Sequence, residues 1–304
     1  MSAAARHAAL VGATTSGKSA LALALARRDP SWELVSVDSM QVYRGMDIGT
    51  AKPTVAERAE VPHHLIDLLE PWEDGTVAWF QRVAKGAVAD IEARGRRALL
   101  VGGTALYVQA VVDDLDIPGQ FPDARHEVDA DPDTAALHAR LRSLDPVAAG
   151  RMEPGNRRRI VRALEVTLGS GRPFSSFGPG LDAHPPSPFT LIGLSVPQEE
   201  LAARIELRYE AQMKAGFLAE VRQLHEHTRG LSRTAGQALG YKELLEHLRG
   251  EASLPEALDL AVRRTRRFAR RQRAWFARDP RIAWLDASGP VDNGLVDALE
   301  GLVG

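Results

Sequence analysis

The sequence predicts an α/β fold: a mostly parallel sheet flanked by helices, with a small all-helical insertion. Three observations predict it. Short apolar runs bounded by turn residues alternate with helical segments through residues 1–115. A glycine-rich turn joins the first such run to the first helix. Residues 116–186 hold helical patterns and a Gly/Pro-rich loop but no convincing strand, and the core resumes at 187–304.

In order, residues 8–11 read as a buried strand, and 20–26 as a helix of good helix formers. Residues 34–37 are apolar and partly β-branched, a second strand ending at Asp38. Residues 64–66 are a weaker strand. Residues 77–94 have helical character and stop at Gly95. Residues 98–101 are another buried strand, stopped by Gly102-Gly103, and 105–112 read as helix. Within the insertion, 135–144 and 157–168 are the clearest helices. A strand is expected at 190–196, then helices at 198–214, 218–227 and 255–278, with a last strand at 282–285.

Composition narrows the function classes. Hydrophobic residues make up 44 % and charged residues 26 %, as in ordinary globular chains. There is no Cys, which excludes disulfides and thiolate metal sites and accords with a cytoplasmic location. No apolar run reaches the roughly 20 residues that span a bilayer, and residues 1–9 do not read as a signal peptide. The formal net charge of −2 conceals an uneven distribution. Residues 262–278 carry eight Arg and no acid, and Arg157, Arg158, Arg159 and Arg162 form a second group. Such patches can hold a polyanion on a near-neutral protein.

Gly12-Ala13-Thr14-Thr15-Ser16-Gly17-Lys18-Ser19 fits G-x-x-x-x-G-K-[ST] between a strand and a helix. Gly12 and Gly17 permit backbone conformations that turn successive N–H groups inward. The helix behind adds its positive end. Lys18 supplies a mobile charge for a terminal phosphate, and the Ser19 hydroxyl is the expected Mg²⁺ ligand. This marks a P-loop NTPase-like core. The loop accepts a nucleoside triphosphate or any diphosphate ester. Asp38 ends the neighbouring strand, where α/β sheets bind ligands. The residues alone leave it open whether Asp38 caps a turn, helps hold Mg²⁺ or acts as a general base.

The segment Asp38-Ser39-Met40-Gln41-Val42-Tyr43-Arg44-Gly45-Met46-Asp47-Ile48-Gly49-Thr50-Ala51-Lys52-Pro53 resembles the signature of the tRNA dimethylallyltransferases (tRNA isopentenyltransferases), bacterial type. So do His63-His64-Leu65-Ile66-Asp67, Gly102-Gly103-Thr104-Ala105-Leu106-Tyr107, Arg158-Arg159-Ile160-Val161-Arg162-Ala163-Leu164-Glu165 and Leu239-Gly240-Tyr241-Lys242-Glu243. These blocks stand in family order across nearly the whole chain. In the phosphate loop, Ala13 and Thr15 replace the family's usual Pro and Ala.

The resemblance implies transfer of a dimethylallyl group from its diphosphate to N6 of the adenosine 3′-adjacent to the anticodon (position 37) of tRNA, releasing diphosphate. It implies Asp38 as the base, Thr104 beside the transferred group, and an Arg of the 198–214 helix on the diphosphate; of Arg204 and Arg208, Arg208 is favoured. The diphosphate set is Gly12, Thr14, Thr15, Ser16, Gly17, Lys18 and Ser19. Ser39, Met40 and Gln41, together with Gln237, Gly240, Tyr241 and Lys242, match family positions that lie near the target base.

The 262–278 helix shows an apolar stripe of Val262, Thr265, Phe268, Gln272 and Trp275 that would face the core. Its Arg-only remainder, notably Arg270, Arg271 and Arg273, would meet tRNA phosphates. Arg157, Arg158, Arg159 and Arg162 on the insertion, and Arg125 at its start, are further contacts. His63 and His64 are expected to pack or hydrogen-bond, and His225 and His227 to form no metal site. A monomer is expected. Competing readings are a P-loop small-molecule kinase, a non-catalytic nucleotide-dependent RNA-binding protein and a prenyltransferase acting on free adenine nucleotides. The kinase leaves the Arg-rich helix and the 38–53 segment unexplained.

Overall fold

The computed structural model describes residues 7–304; residues 1–6, in the stretch read as lacking a signal peptide, lie outside the described residues. Strand β1 (His7–Gly12) is buried throughout and leads into α1 (Lys18–Arg28). There follow β2 (Trp32–Ser36), α2 (Val55–Glu60), β3 (His63–His64), α3 (Val77–Ala93), β4 (Arg97–Gly102) and α4 (Ala105–Val112). Next come α5 (Pro122–Asp129), α6 (Thr134–Leu144), α7 (Pro146–Gly150) and α8 (Arg157–Ser170). The core resumes with β5 (Phe189–Ser195), α9 (Gln198–Lys214), α10 (Phe217–Glu226), α11 (Tyr241–Leu248), α12 (Leu254–Phe276), β6 (Ala283–Asp286) and α13 (Asn293–Val303).

The six strands form one sheet in the order β3-β2-β4-β1-β5-β6. Every pairing within it is parallel, beyond the mostly parallel sheet expected. A parallel sheet is covered on both faces, so its strands are continuous apolar runs. That is why residues 8–11, 34–37 and 98–101 were legible. Five helices were not anticipated: α2, α5, α7, α11 and α13. Helix α2 buries no residue and stands on its Thr54–Glu57 capping box. Helix α5 buries only Val128. Such segments lack the apolar period that sequence reading depends on.

Residues Asp114–Pro185 form a compact unit of their own, against the expected 116–186, and the flanking chain forms the other. The small unit has its own core, with Val128, Leu137, Leu141, Ile160 and Leu164 almost wholly buried. Within the large unit, the Asp113 side chain at the end of α4 is fully buried and accepts from Arg281 Nη1 at 2.7 Å. Arg281→Met strips that carboxylate of its cation. The expected loss is about 3–5 kcal/mol, read as a fall in Tm and urea midpoint. An unchanged midpoint would mean that Asp113 finds other compensation.

The stripe expected on the Arg-rich helix needs correction. The residues of α12 that are buried are Ala257, Ala261, Thr265, Ala269, Gln272 and Phe276. Val262, Phe268 and Trp275 are only partly buried. Alanines let the helix approach its neighbours closely, so the larger apolar side chains lie along the flanks.

Candidate active site

Strands β1 and β2 both pair with β4, so their carboxyl ends lie side by side. From those ends emerge the glycine-rich loop, Asp38 and the Gly103-Thr104 turn, at the edge where α/β sheets bind ligands.

The loop backbone has φ values of 150° at Gly12, 62° at Thr15 and 91° at Gly17. Gly17 is the N-cap of α1 and makes no side-chain capping bond. The first-turn amides therefore remain available to an anion. Lys18 is buried and donates to Ala13 O at 2.5 Å. Burial pushes its ammonium down to about 7; the Asp38 carboxylate opposes that fall and the Arg208 guanidinium adds to it. The Asp38 charge also acts on Arg208, which burial holds below its ordinary value. Lys18, Arg208 and Asp38 thus share one electrostatic site.

Asp38 is half-buried, and its Oδ1 accepts the Met40 N–H at 2.8 Å. Thr104 begins α4, but its hydroxyl does not cap the helix. It accepts the Ser39 N–H at 3.3 Å, fixing the turn that carries Asp38. Arg208 donates to Thr14 Oγ1 at 3.1 Å and to Gly49 O at 3.1 Å. Arg204 instead donates to Glu200 and to the carbonyls of Ala287 and Gly289, with a long bond of 3.4 Å to Thr15 O. Of the two arginines, Arg208 faces the site and Arg204 braces the loop from outside.

Helices α9–α11 grip the segment that follows Asp38. Glu220 accepts the N–H groups of Asp47, Ile48 and Gly49 at 2.9, 2.8 and 3.2 Å, and the Tyr241 hydroxyl at 2.6 Å. Gln212 donates to the carbonyls of Ile48 and Gly49. A Cβ at Gly49 would come within 2.3 Å of Phe217 and 2.4 Å of Tyr241, so only glycine fits there. Lys52 is buried between Asp47 and Asp67. Burial raises the Asp67 carboxyl, but hydrogen bonds from Lys52 and Arg58 outweigh it and hold it below the usual carboxylate range. Glu220 and Gln212 escaped the sequence reading, and Gln272 was read only as part of the core-facing stripe, where it is indeed buried. The available signal was a polar side chain on an otherwise buried helix face, which must find partners.

Several residues expected at the tRNA are committed elsewhere. Gln41 is buried; its amide accepts from Ser36 Oγ at 2.7 Å and donates to Thr50 O and Ala51 O. Tyr241 is fully buried against Phe217, and Gly240 N–H is taken by Glu243. Neither presents a side chain to a ligand. Arg125 pairs with Asp129 and Glu165, and Arg162 with Glu165 and the carbonyls of Pro118 and Gly119. Arg157 donates to Asp129 O and Asp131 O. These three arginines knit the small unit together. The Thr14 N–H is also spent, on Gln272 Oε1 at 2.8 Å, and the Thr14 hydroxyl accepts from Arg208.

Ser39 and Met40 flank the site on the Asp38 turn, half-buried. Gln237, Arg158, Arg159, Arg270 and Arg271 are exposed, and Lys242 and Arg273 are half-buried. On α12, Arg263, Arg264 and Arg266 pair with Asp259, Glu243 and Glu206, whereas the arginines singled out in the sequence, Arg270, Arg271 and Arg273, lie beyond them toward the C-terminal end. His63 Nδ1 bonds Val61 O and His64 Nε2 bonds Glu33, as expected. Among the described residues no cluster of three metal-ligating His, Cys, Asp or Glu occurs, and no helix is long and apolar enough to cross a membrane.

A phosphate-loop motif on an all-parallel sheet, with an arginine and a carboxylate set at its mouth, defines a P-loop α/β protein. The family model described as IPP transferase matches residues 41–279. The tRNA dimethylallyltransferase of Kineococcus radiotolerans is 49 % identical, covering 93 % of this chain and 92 % of its own. That of Nocardioides sp. is 48 % identical, covering 95 % and 93 %. The solved tRNA isopentenylpyrophosphate transferase of Bacillus halodurans superimposes with a TM-score of 0.71 at 37 % identity, covering 98 % of this chain and 97 % of that one. A eukaryotic dimethylallyltransferase acting on tRNA gives 0.76 at 25 % identity, covering 93 % and 74 %. The chain belongs to the tRNA dimethylallyltransferase family.

Proposed function

We propose that the protein transfers the dimethylallyl group of dimethylallyl diphosphate to N6 of the adenosine immediately 3′ of the anticodon in tRNA, giving N6-isopentenyladenosine and diphosphate. The observation that carries this reading is the grouping of Asp38 with Lys18 and Arg208 at the mouth of the phosphate loop. Membership of the family favours it over a small-molecule kinase.

The chemistry suits these groups. An exocyclic aryl amine is a weak nucleophile, because its lone pair is delocalised into the ring. As the N6–C1 bond forms, Asp38 accepts the N6 proton. The C1–O bond breaks and its electron pair leaves with the diphosphate. Lys18, Arg208 and the free amides of the loop meet that growing negative charge in place. The exposed Ser19 hydroxyl on the first turn of α1 would hold Mg²⁺. When bound, Mg²⁺ supplies further stabilisation of the leaving oxygens.

The exposed Arg270 and Arg271 of α12 would hold the anticodon stem-loop through its phosphates, the adenine being unstacked into the site. The protein would act as a cytoplasmic monomer. Replacing Arg270 and Arg271 together by Ala should weaken tRNA binding about equally for all sequences. It should also reduce the slope of log K against log salt by about 1 per lost contact. Titration at several salt concentrations reads this; an unchanged slope places the tRNA elsewhere. The activity is tested by incubating the protein with unmodified tRNA, Mg²⁺ and labelled dimethylallyl diphosphate, then separating nucleosides. Label in N6-isopentenyladenosine is expected. Label absent from adenosine, or found only in free nucleotides, would overturn the assignment.

A further inference from the structure

Helix α12 carries exposed arginines 267, 270 and 271 on one side and the buried Gln272 on another. The two ends of the Gln272 amide reach two different loops. Oε1 accepts the Thr14 N–H at 2.8 Å, and Nε2 donates to Gly103 O at 2.7 Å. The gap it occupies is built for it. A Cβ on Gly103 would stand 2.3 Å from Gln272 Nε2 and 3.0 Å from Gly12 O, so a side chain there would expel the amide. A buried amide deprived of these partners would be left with its desolvation cost.

Each bond fixes one half of the site. The first pins the phosphate loop at Thr14, whose hydroxyl receives Arg208. The second pins the residue before Thr104, whose hydroxyl holds the turn carrying Asp38. We propose that Gln272 is a positioning residue that sets the separation between the diphosphate cradle and the carboxylate side of the site. It does so from the helix whose exposed arginines the reading above assigns to tRNA phosphates. The inference rests on the prenyl-transfer reading above. It makes Gln272 matter to the rate of the chemical step, because transfer requires donor carbon and acceptor nitrogen within near-attack range.

The test uses the full chain, saturating tRNA and labelled dimethylallyl diphosphate under single-turnover conditions, with folded molecules counted by prenyl diphosphate binding. Gln272→Leu removes both bonds at similar volume. It is expected to slow transfer about 10- to 100-fold per folded molecule, with both KM values within about threefold of the parent. Gln272→Glu provides a second, independent readout. A protonated carboxyl offers one acceptor and one donor, as the amide does, whereas the ionised form has no donor for Gly103 O. Its rate relative to the parent should therefore fall as pH rises, whereas the corresponding ratio for the Leu variant stays flat.

Transfer by the Leu variant within about twofold of the parent per folded molecule overturns the inference. So does a pH-independent ratio for the Glu variant, which decides the matter if the Leu variant does not fold. A parent chain that transfers no prenyl group fails at the functional reading and takes this inference with it. A parent that transfers, with both variants unaffected, sinks only the role of Gln272.

Discussion

Asp38→Asn is expected to slow dimethylallyl transfer by about 10²–10⁴-fold while tRNA and dimethylallyl diphosphate still bind. The amide keeps the size of the carboxylate and can still accept the Met40 N–H that shapes the turn. It has no basic oxygen for the N6 proton. The loss should appear in single-turnover rates and in kcat, with little change in either KM. Filter binding of tRNA checks that the interface survives. Transfer by Asp38→Asn near the parent rate would remove Asp38 from the chemistry and leave it as a turn former.

Lys18→Met should lower kcat/KM for dimethylallyl diphosphate by about 10²–10³-fold, the scale seen when one charge-stabilising donor is removed. Its pH behaviour is a sharper test. Burial, opposed by Asp38 and aided by Arg208, leaves the free ammonium titrating near 7. A bound diphosphate favours the charged form and raises that value. The affinity supplied by Lys18 is then fully present below the free value of about 7. It is lost as pH rises from there toward the higher value of the complex. Calorimetry above neutral pH should show proton uptake on binding, after allowance for the ligand's own ionisation. In Lys18→Met that uptake should disappear. Equal uptake in the two proteins would assign the titration to another group.

Much of this was readable before any coordinates. The phosphate loop, the three central strands and the long helices α3, α9 and α12 follow from local pattern, and the family resemblance follows from blocks in order. The site was only half readable. Asp38 and Thr104 follow strand ends and Lys18 opens the helix after the phosphate loop, so their positions follow from topology and motif. Arg208 was favoured over Arg204, and only the hydrogen bonds place Arg208 on Thr14 and Gly49 and Arg204 on the Ala287 and Gly289 carbonyls. Outside every motif, Glu220 and Gln212 hold the 47–49 backbone. Nothing in their spacing discloses that partner, because it comes from a distant part of the chain.

The arginines teach the same lesson in reverse. Eight arginines in the acid-free stretch 262–278 read as a basic surface on every face but the apolar stripe. Three of them meet acids, two of which come from α9 and α11. On the small unit, Arg125, Arg157 and Arg162 satisfy Glu165, Asp129 and nearby carbonyls, a structural use of residues that charge alone marks as ligands.

The order of residues by itself determined where backbone amides can gather round an anion, because glycines and a following helix are local properties. It also determined the sheet's buried strands, since continuous apolar runs leave no other stable placement. The tertiary structure alone decided which polar side chains remain available. A buried donor or acceptor takes whatever partner the fold brings near, and those partners lie many residues away. Gln272, read from sequence as one more residue of a helix face, shows the difference: its position was written in the pattern, its two hydrogen bonds were not.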